Sequence, residues 1–247
     1  MKRVLVVPAA GTGSRLGSPV AKVLHPVAGR SMLAHLADRF APWVDAMHVV
    51  VRPQDRDAVA AECHALDLAA TLHIQPEPIG MLDAVLRAHA GVVAGAPREV
   101  WIVWCDQIAL RASTLGRLAA SAADGPAAIR LPTCLRRDPY IHLERDGARR
   151  IVRVRHRREG DDMPDIGETD AGLFALRGDV YAEHLPRFAR ENAAVGVRTG
   201  ERNFLPVLAW AGLPGPVVTF PCEDASETIG INTPADLCAV ELILTAR

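Results

Sequence analysis

The sequence predicts an α/β fold, a mostly parallel sheet with flanking helices, and three observations carry that expectation. Apolar, β-branched runs recur through the first half, stretches with helical spacing separate them, and turn-rich text after about residue 132 breaks the alternation. In chain order the runs are VLVVP (4–8), MHVVV (47–51), LHIQ (72–75), VWIVW (100–104) and AAIRL (127–131). Such continuous apolar runs suit strands buried on both faces. Between them, SMLAHLADRF places Met32, Leu33, Leu36 and Phe40 on one helical face, and GMLDAVLRAHAGV does the same with Leu82, Val85, Leu86 and His89. Residues from about 132 to 176 read as a small antiparallel insertion. Within it, RIVRVRHR alternates Arg153, Arg155 and Arg157 with Val152, Val154 and His156. As a strand it has one cationic face, either a solvated edge or an arginine turned to an anionic substrate. The last helix starts at TPADL, where Thr233 caps, Pro234 fits the first position and Asp236 complements the first turn.

With 247 residues and neither repeat nor linker, the chain reads as a single domain over 1–247. A net charge of −1 without a long basic block excludes a protein that finds nucleic acid by electrostatics alone. No stretch reaches the ~20 apolar residues of a membrane span. The first apolar run is interrupted by Gly11 to Arg15, so a cytosolic protein is expected. The five cysteines are odd in number, scattered and never in a C-x-x-C pair, and read as buried thiols. His25, His35, His48 and His89 read as packed or edge histidines, Asp161, Asp162 and Asp165 as a solvated turn, and Trp101 and Trp104 as packing residues.

The chemistry concentrates in VVPAAGTGSRLGSPVAKVLHPVAGRSML (6–33). Gly11, Gly13 and Gly17 miss the dinucleotide spacing by one residue, and Ser14-Arg15 after Gly13 is not the Lys-Ser/Thr ending of a P-loop. A glycine loop after a first strand still brings backbone N–H groups to an anion. Arg15 and Lys22 add a planar fork and a point charge suited to phosphoryl oxygens.

These residues resemble the N-terminal signature of sugar-phosphate nucleotidyltransferases (pyrophosphorylases), AAG-x-G-[ST]-R followed by a lysine and a Gly-[KR]-Pro-[ML] step. KVLHPVAGRSML is most similar to the uridylyltransferase domain that makes UDP-N-acetylglucosamine. The likeness continues in order along the chain. IQPEPIGMLDAV resembles the base-reading segment, with Gln75 and Gly80 matching. VWCDQI resembles the strand end whose aspartate holds magnesium, with Asp106 matching. GETDAGLFAL resembles the E-x-N-x-G segment at the sugar, with Glu168 and Gly172 matching and Asp170 standing where asparagine is usual. IGINTPADL resembles the closing motif, with Asn232 as second metal ligand.

The resemblance implies a Rossmann-like sheet and Mg²⁺-dependent transfer of a nucleotidyl group to a sugar 1-phosphate or similar phosphomonoester, releasing pyrophosphate. A pyrimidine triphosphate (UTP, dTTP or CTP) is favoured. Arg15 and Lys22 are the implied catalytic residues, and Ala9, Ala10, Gly11, Gly13, Ser14, Gln75 and Gly80 hold the nucleotide. Tyr140, Arg155, Glu168, Asp170 and Gly172 face the substrate, while Asp106 and Asn232 hold the metal. The partners are thus a nucleoside triphosphate and a small phosphorylated substrate.

Some positions depart from the uridylyltransferase pattern. Met81-Leu82-Asp83-Ala84 replaces Thr-Gly-His-Ala, Arg155 replaces a glutamate, and Ile141 replaces a glycine. These changes leave open a cytidylyltransferase acting on a phosphocholine-like or phosphonate substrate, or a nucleotide-sensing homologue without turnover. A glycosyltransferase is disfavoured because Asp106-Gln107-Ile108 lacks the Asp-x-Asp pair. No hexapeptide β-helix repeat follows, so no acetyl-transfer activity is expected.

Overall fold

The computed structural model describes the chain except residues 1, 12, 18, 19, 124, 193, 194 and 247, and not the side chain of Ser14. The first half alternates strand and helix. Strand β1 (Arg3–Pro8) is followed by a two-residue ribbon, β2 (Pro26–Val27) with β3 (Arg30–Ser31), and by helix α1 (Met32–Phe40). Then come β4 (Ala46–Val51), α2 (Arg56–Ala65), β5 (Ala70–Ile74), α3 (Met81–Arg87), α4 (His89–Ala94), β6 (Glu99–Val103) and α5 (Ala112–Ala120). The second half contains β7 (Ile129–Arg137), β8 (Ile141–Arg145), β9 (Ile151–His156), β10 (Ile166–Asp170), β11 (Leu173–Arg177), α6 (Leu185–Glu191), β12 (Val217–Pro221) and α7 (Pro234–Thr245).

The main sheet runs β10-β7-β11-β6-β1-β4-β5, with β12 beside β7. Strands β1, β4, β5 and β6 are parallel, while β10 and β11 run antiparallel to their neighbours. Leu5, Val7, Trp101 and Val103 belong to the apolar cluster on one face, which packs with α1 residues Leu33, Leu36 and Phe40. Val4, Val6, Val100 and Ile102 belong to the other, with Leu82 and Val85 of α3. Period-two alternation thus buries both sides of the central strands and accounts for their unbroken apolar sequence.

Strand order reverses beside β1: the chain goes outward to β4 and β5, then returns to β6 on the opposite side. Open α/β sheets bind ligands at the carboxyl ends flanking such a reversal. Here those ends carry the glycine loop after β1 and the Trp104-Cys105-Asp106 turn after β6.

The turn-rich stretch divides. β8 and β9 form a separate two-stranded sheet, but β7, β10 and β11 extend the main one. β10 and β11 run in succession along β7, linked where the Ala171 N–H donates to Pro132 O (3.1 Å). Gly172 makes the break at φ +67°, a left-handed conformation that favours glycine.

Residues read as one helix over 80–92 form two, α3 and α4, meeting at Ala88. Thr233 and Asp236 make a reciprocal capping box at α7. The expectation of buried thiols holds for Cys63 and Cys105; Cys134 and Cys222 are half-buried, and Cys238 is exposed on α7, a surface helix whose one fully buried residue is Val240. Among the described residues no helix is long and apolar enough to cross a membrane.

Candidate active site

A cleft of about 1160 Å³ opens at these carboxyl ends. Ala9 is buried behind it, its N–H donating to Val50 O (2.7 Å), and so turns Ala10, Gly11 and Gly13 toward the opening. Gly13 sits at φ +61°, and the Leu16 N–H returns to its carbonyl (2.9 Å). That closes a tight 3-10 turn, Ser14–Leu16, which carries exposed Arg15. A Cβ on residue 13 would lie 3.2 Å from Lys22 Cβ, so glycine lets the two arms of the loop close together. Lys22 opens the next turn, which buried Val23 anchors in the core.

Four side chains from three distant segments converge here. Lys22 Nζ donates to Asp106 Oδ2 (2.5 Å) and to Asn232 Oδ1 (3.0 Å), and Arg15 Nη2 donates to the same Asn232 oxygen (3.0 Å). Burial alone would lower the Lys22 pKa, but the Asp106 carboxylate more than offsets this and the pKa is raised. Asn232 is fixed from both sides. Its backbone N–H donates to Asp236 Oδ2 (3.0 Å) in the α7 cap, and its Nδ2 donates to Gly230 O (3.2 Å), which turns Oδ1 toward the cations. Gly230 in turn approaches Asp106 closely: a Cβ there would lie 3.1 Å from Oδ2.

On the β5 side, the buried Gln75 amide donates from Nε2 to Gly80 O (3.2 Å) and Asp83 Oδ2 (2.9 Å). Asp83, part of the Met81–Ala84 departure, is therefore the residue that orients Gln75. Gly80 has φ +124° and lies against the Arg202 backbone, whose N–H donates to Ile79 O (2.7 Å) and whose carbonyl accepts from the Leu82 N–H (3.0 Å).

Residues 195–203 form a strap between the cleft's two sides. Besides the Arg202 bonds, the Arg198 N–H (2.9 Å) and the Thr199 hydroxyl (2.5 Å) donate to Glu159 beyond β9. Burial would raise the Glu159 carboxyl, but these donors hold it down at about 2. The strap lines the cleft through Val195, Gly196, Val197, Glu201 and Asn203. Its polar, turn-rich text carries no periodic signal, so sequence reading missed it.

The expected substrate contacts separate. Tyr140 and Asp170 line the cleft. Asp170 is 7% exposed, its Oδ1 accepts from the Gly172 N–H (2.8 Å), and burial pushes its carboxyl up to about 6. Gly172 stands behind the lining, against Trp104 and Gln107. Glu168 is not among the lining residues: its carboxylate takes both arms of Arg145, at 2.6 and 2.7 Å. Arg155 is likewise turned away, because alternation along β9 gives Val154 and His156 to the cleft and sends Arg155 to Glu144 (2.8 Å) and Asp162 O (2.9 Å). His156, which alternates with the arginines along β9, also lines the cleft. It packs edge-on against Tyr140 (5.1 Å), with Nδ1 buried and unpartnered.

The Asp106 carboxylate and Asn232 amide oxygen already share one cation, the Lys22 ammonium. A hard divalent ion fits the same donors, with phosphate oxygens and waters completing its shell. Among the described residues, no group of three or more His, Cys, Asp or Glu side chains is placed to hold a metal.

Residues 5–165 match the family model of the MobA-like NTP transferase domain. The chain is 34% identical over 249 residues to the bifunctional protein GlmU of Azorhizobium caulinodans, covering 99% of this chain and 53% of that protein. It is also 34% identical over 247 residues to the bifunctional protein GlmU of Azotobacter vinelandii, covering 96% and 50%. The chain thus spans about half the length of the curated relatives it matches. With the glycine loop and Asp106 inside the matched span, the chain belongs to the MobA-like NTP transferase domain family and is a nucleotidyltransferase.

Proposed function

We propose that this cleft transfers a nucleotidyl group from a pyrimidine nucleoside triphosphate to a sugar 1-phosphate or related phosphomonoester, with Mg²⁺, in the cytoplasm. The observation that carries the reading is the meeting of Arg15, Lys22, Asp106 and Asn232 beside the glycine loop. A phosphate oxygen of the acceptor bonds to the α-phosphorus while the bond from that phosphorus to the bridging oxygen of the β-phosphate breaks, and pyrophosphate leaves with the electron pair. The attacking oxygen is already ionised at neutral pH, so no general base is required. What the reaction needs is two anions held together and their charge neutralised.

Ala10, Gly11 and Gly13 line the cleft with backbone that suits the triphosphate, and Ser14 continues the loop. Arg15 offsets charge on the triphosphate, and Lys22 bridges the α-phosphate and the acceptor phosphate. Gln75 and Gly80 form the wall for the base, with Gln75 Nε2 committed to Gly80 and Asp83 and its Oε1 left for the ligand. Asp106 and Asn232 would hold Mg²⁺, which when bound neutralises phosphate charge.

The family match and the extent of the likeness to the curated relatives support nucleotidyl transfer from a nucleoside triphosphate. The test is pyrophosphate release across UTP, dTTP, CTP, ATP and GTP, each with sugar 1-phosphates, phosphocholine and small phosphonates. One pyrimidine triphosphate with one acceptor class should dominate. Nucleotide binding without release anywhere in the grid would instead support a sensing homologue.

A further inference from the structure

One wall of the cleft is built from three side chains around Gly172. Asp170 is buried, and among the described residues the one hydrogen bond that its carboxylate accepts from another residue is from the Gly172 amide. Among the described residues no cation pairs with it. Arg145 is taken by Glu168, Arg136 is directed to Thr228, and Arg15 and Lys22 are bonded to Asn232 and Asp106. Gln107 is 6% exposed, lines the same cleft, and its Oε1 is buried without a hydrogen-bond partner. Half-buried Trp104 lines it too and is backed by Phe174 (5.1 Å) and Phe204 (5.7 Å). A Cβ at Gly172 would stand 2.5 Å from Gln107 Cγ and 2.7 Å from Trp104 Cδ1, so the three are pressed about one backbone kink.

This wall presents the Asp170 carboxylate and an indole ring. A buried carboxylate lacking a cation is costly unless a ligand brings one, and an aromatic ring beside it favours the same charge. Hydroxyl groups alone would satisfy the oxygens' hydrogen bonds and leave the carboxylate's charge unmatched. We propose that Asp170, with Trp104, recognises a positively charged nitrogen on the phosphorylated acceptor, a protonated amine or a quaternary ammonium. The acceptor is then zwitterionic, its phosphate at Lys22 and its cation at Asp170. This inference rests on the nucleotidyl-transfer reading of the cleft. The cation has two sources, an amino sugar 1-phosphate with a free amine or a phosphorylated amino alcohol.

The test uses acceptors matched except for charge, with the preferred triphosphate and Mg²⁺. Glucosamine 1-phosphate is compared with glucose 1-phosphate, which carries a hydroxyl in place of the ammonium, and phosphocholine with 3,3-dimethylbutyl phosphate, in the wild type and in Asp170→Asn. In the wild type, kcat/KM should favour the cationic member of one pair by at least about tenfold, and that pair identifies the source. Asp170→Asn should remove the preference by lowering kcat/KM for the cationic member at least about tenfold more than for the neutral one. Should the variant not fold, the wild-type ratio decides alone. Preference for the neutral members, or equal loss on both in the variant, overturns the proposal and makes Asp170 a hydroxyl contact. Turnover with neutral acceptors alone refutes the cation assignment and spares nucleotidyl transfer. Absence of pyrophosphate with every acceptor refutes both.

Discussion

Lys22→Ala removes an ammonium bonded to Asp106 at 2.5 Å and to Asn232 at 3.0 Å, from a pair in which both side chains are 11% exposed. Deleting one partner of a buried pair costs about 3–5 kcal/mol, because the remaining charge is left uncompensated. The pair lies at an open cleft, which favours the lower end, about 3 kcal/mol. At about 2–4 °C per kcal/mol for a domain of this size, Tm should fall by about 6–12 °C in metal-free buffer at pH 7.5. The Lys22 pKa is raised, so the pair's contribution is complete at that pH and is lost only as pH rises through the folded-state value. In the wild type a divalent ion must displace the ammonium from Asp106; in the variant it need not. Mg²⁺ should therefore raise the variant's Tm by more than the wild type's, while turnover stays at least ~100-fold lower. Scanning calorimetry across a Mg²⁺ titration at constant ionic strength, with pyrophosphate release in parallel, reads both effects. An unchanged Tm without metal, or equal Mg²⁺ responses in the two proteins, would refute the shared-cation argument.

Other perturbations separate structural from ligand-binding roles. Gly80→Ala places a Cβ against the Arg202 backbone at φ +124°. With strain of about 1–2 kcal/mol and two hydrogen bonds of about 1 kcal/mol each disturbed, Tm should drop by about 6–16 °C; calorimetry with nucleotide titration should also show weaker triphosphate binding. Glu168→Gln breaks a paired carboxylate away from the cleft, so urea unfolding should show a loss of about 1–3 kcal/mol while acceptor KM stays within about twofold. His48 Nδ1 lies 2.9 Å from His73 Nε2 on the strand face beneath Gly91. Burial is the main cause that lowers both pKa values, His48 to about 4. The unfolded chain therefore takes up protons first. Stability should be flat above about pH 6.5 and fall by up to about 3 kcal/mol toward pH 4, a slope that His48→Phe should reduce in pH-dependent urea titrations.

The strands and the glycine loop were legible because each is a local signal. VLVV and VWIVW declare doubly buried strands, and TPADL declares a capped helix, through residues that interact within a few positions. The cation cluster was legible by resemblance, since Lys22, Asp106 and Asn232 lie 84 and 126 residues apart and no spacing rule connects them. Side-chain direction was not legible. Glu168 and Arg155 belong to motifs that enter the site, yet each turns to a charged neighbour on β8, Arg145 or Glu144, a contact set by tertiary packing that no local spacing announces. The buried charge on β6 was missed for the same reason. Glu99 opens an apolar run and is held by Arg3 (2.5 Å) and Arg130, from the neighbouring β1 and from β7. Asp83, read as a departure, proved to be the partner that orients Gln75.

The central claim is that one cleft joins a triphosphate to a phosphorylated acceptor. ³¹P NMR of a reaction with Mg²⁺, the preferred triphosphate and its acceptor tests it directly. Pyrophosphate and a new diphosphate-linked product should appear in equal amounts, and both should vanish in Asp106→Ala. Nucleoside monophosphate with pyrophosphate and no joined product, or a joined product undiminished in Asp106→Ala, would contradict the account.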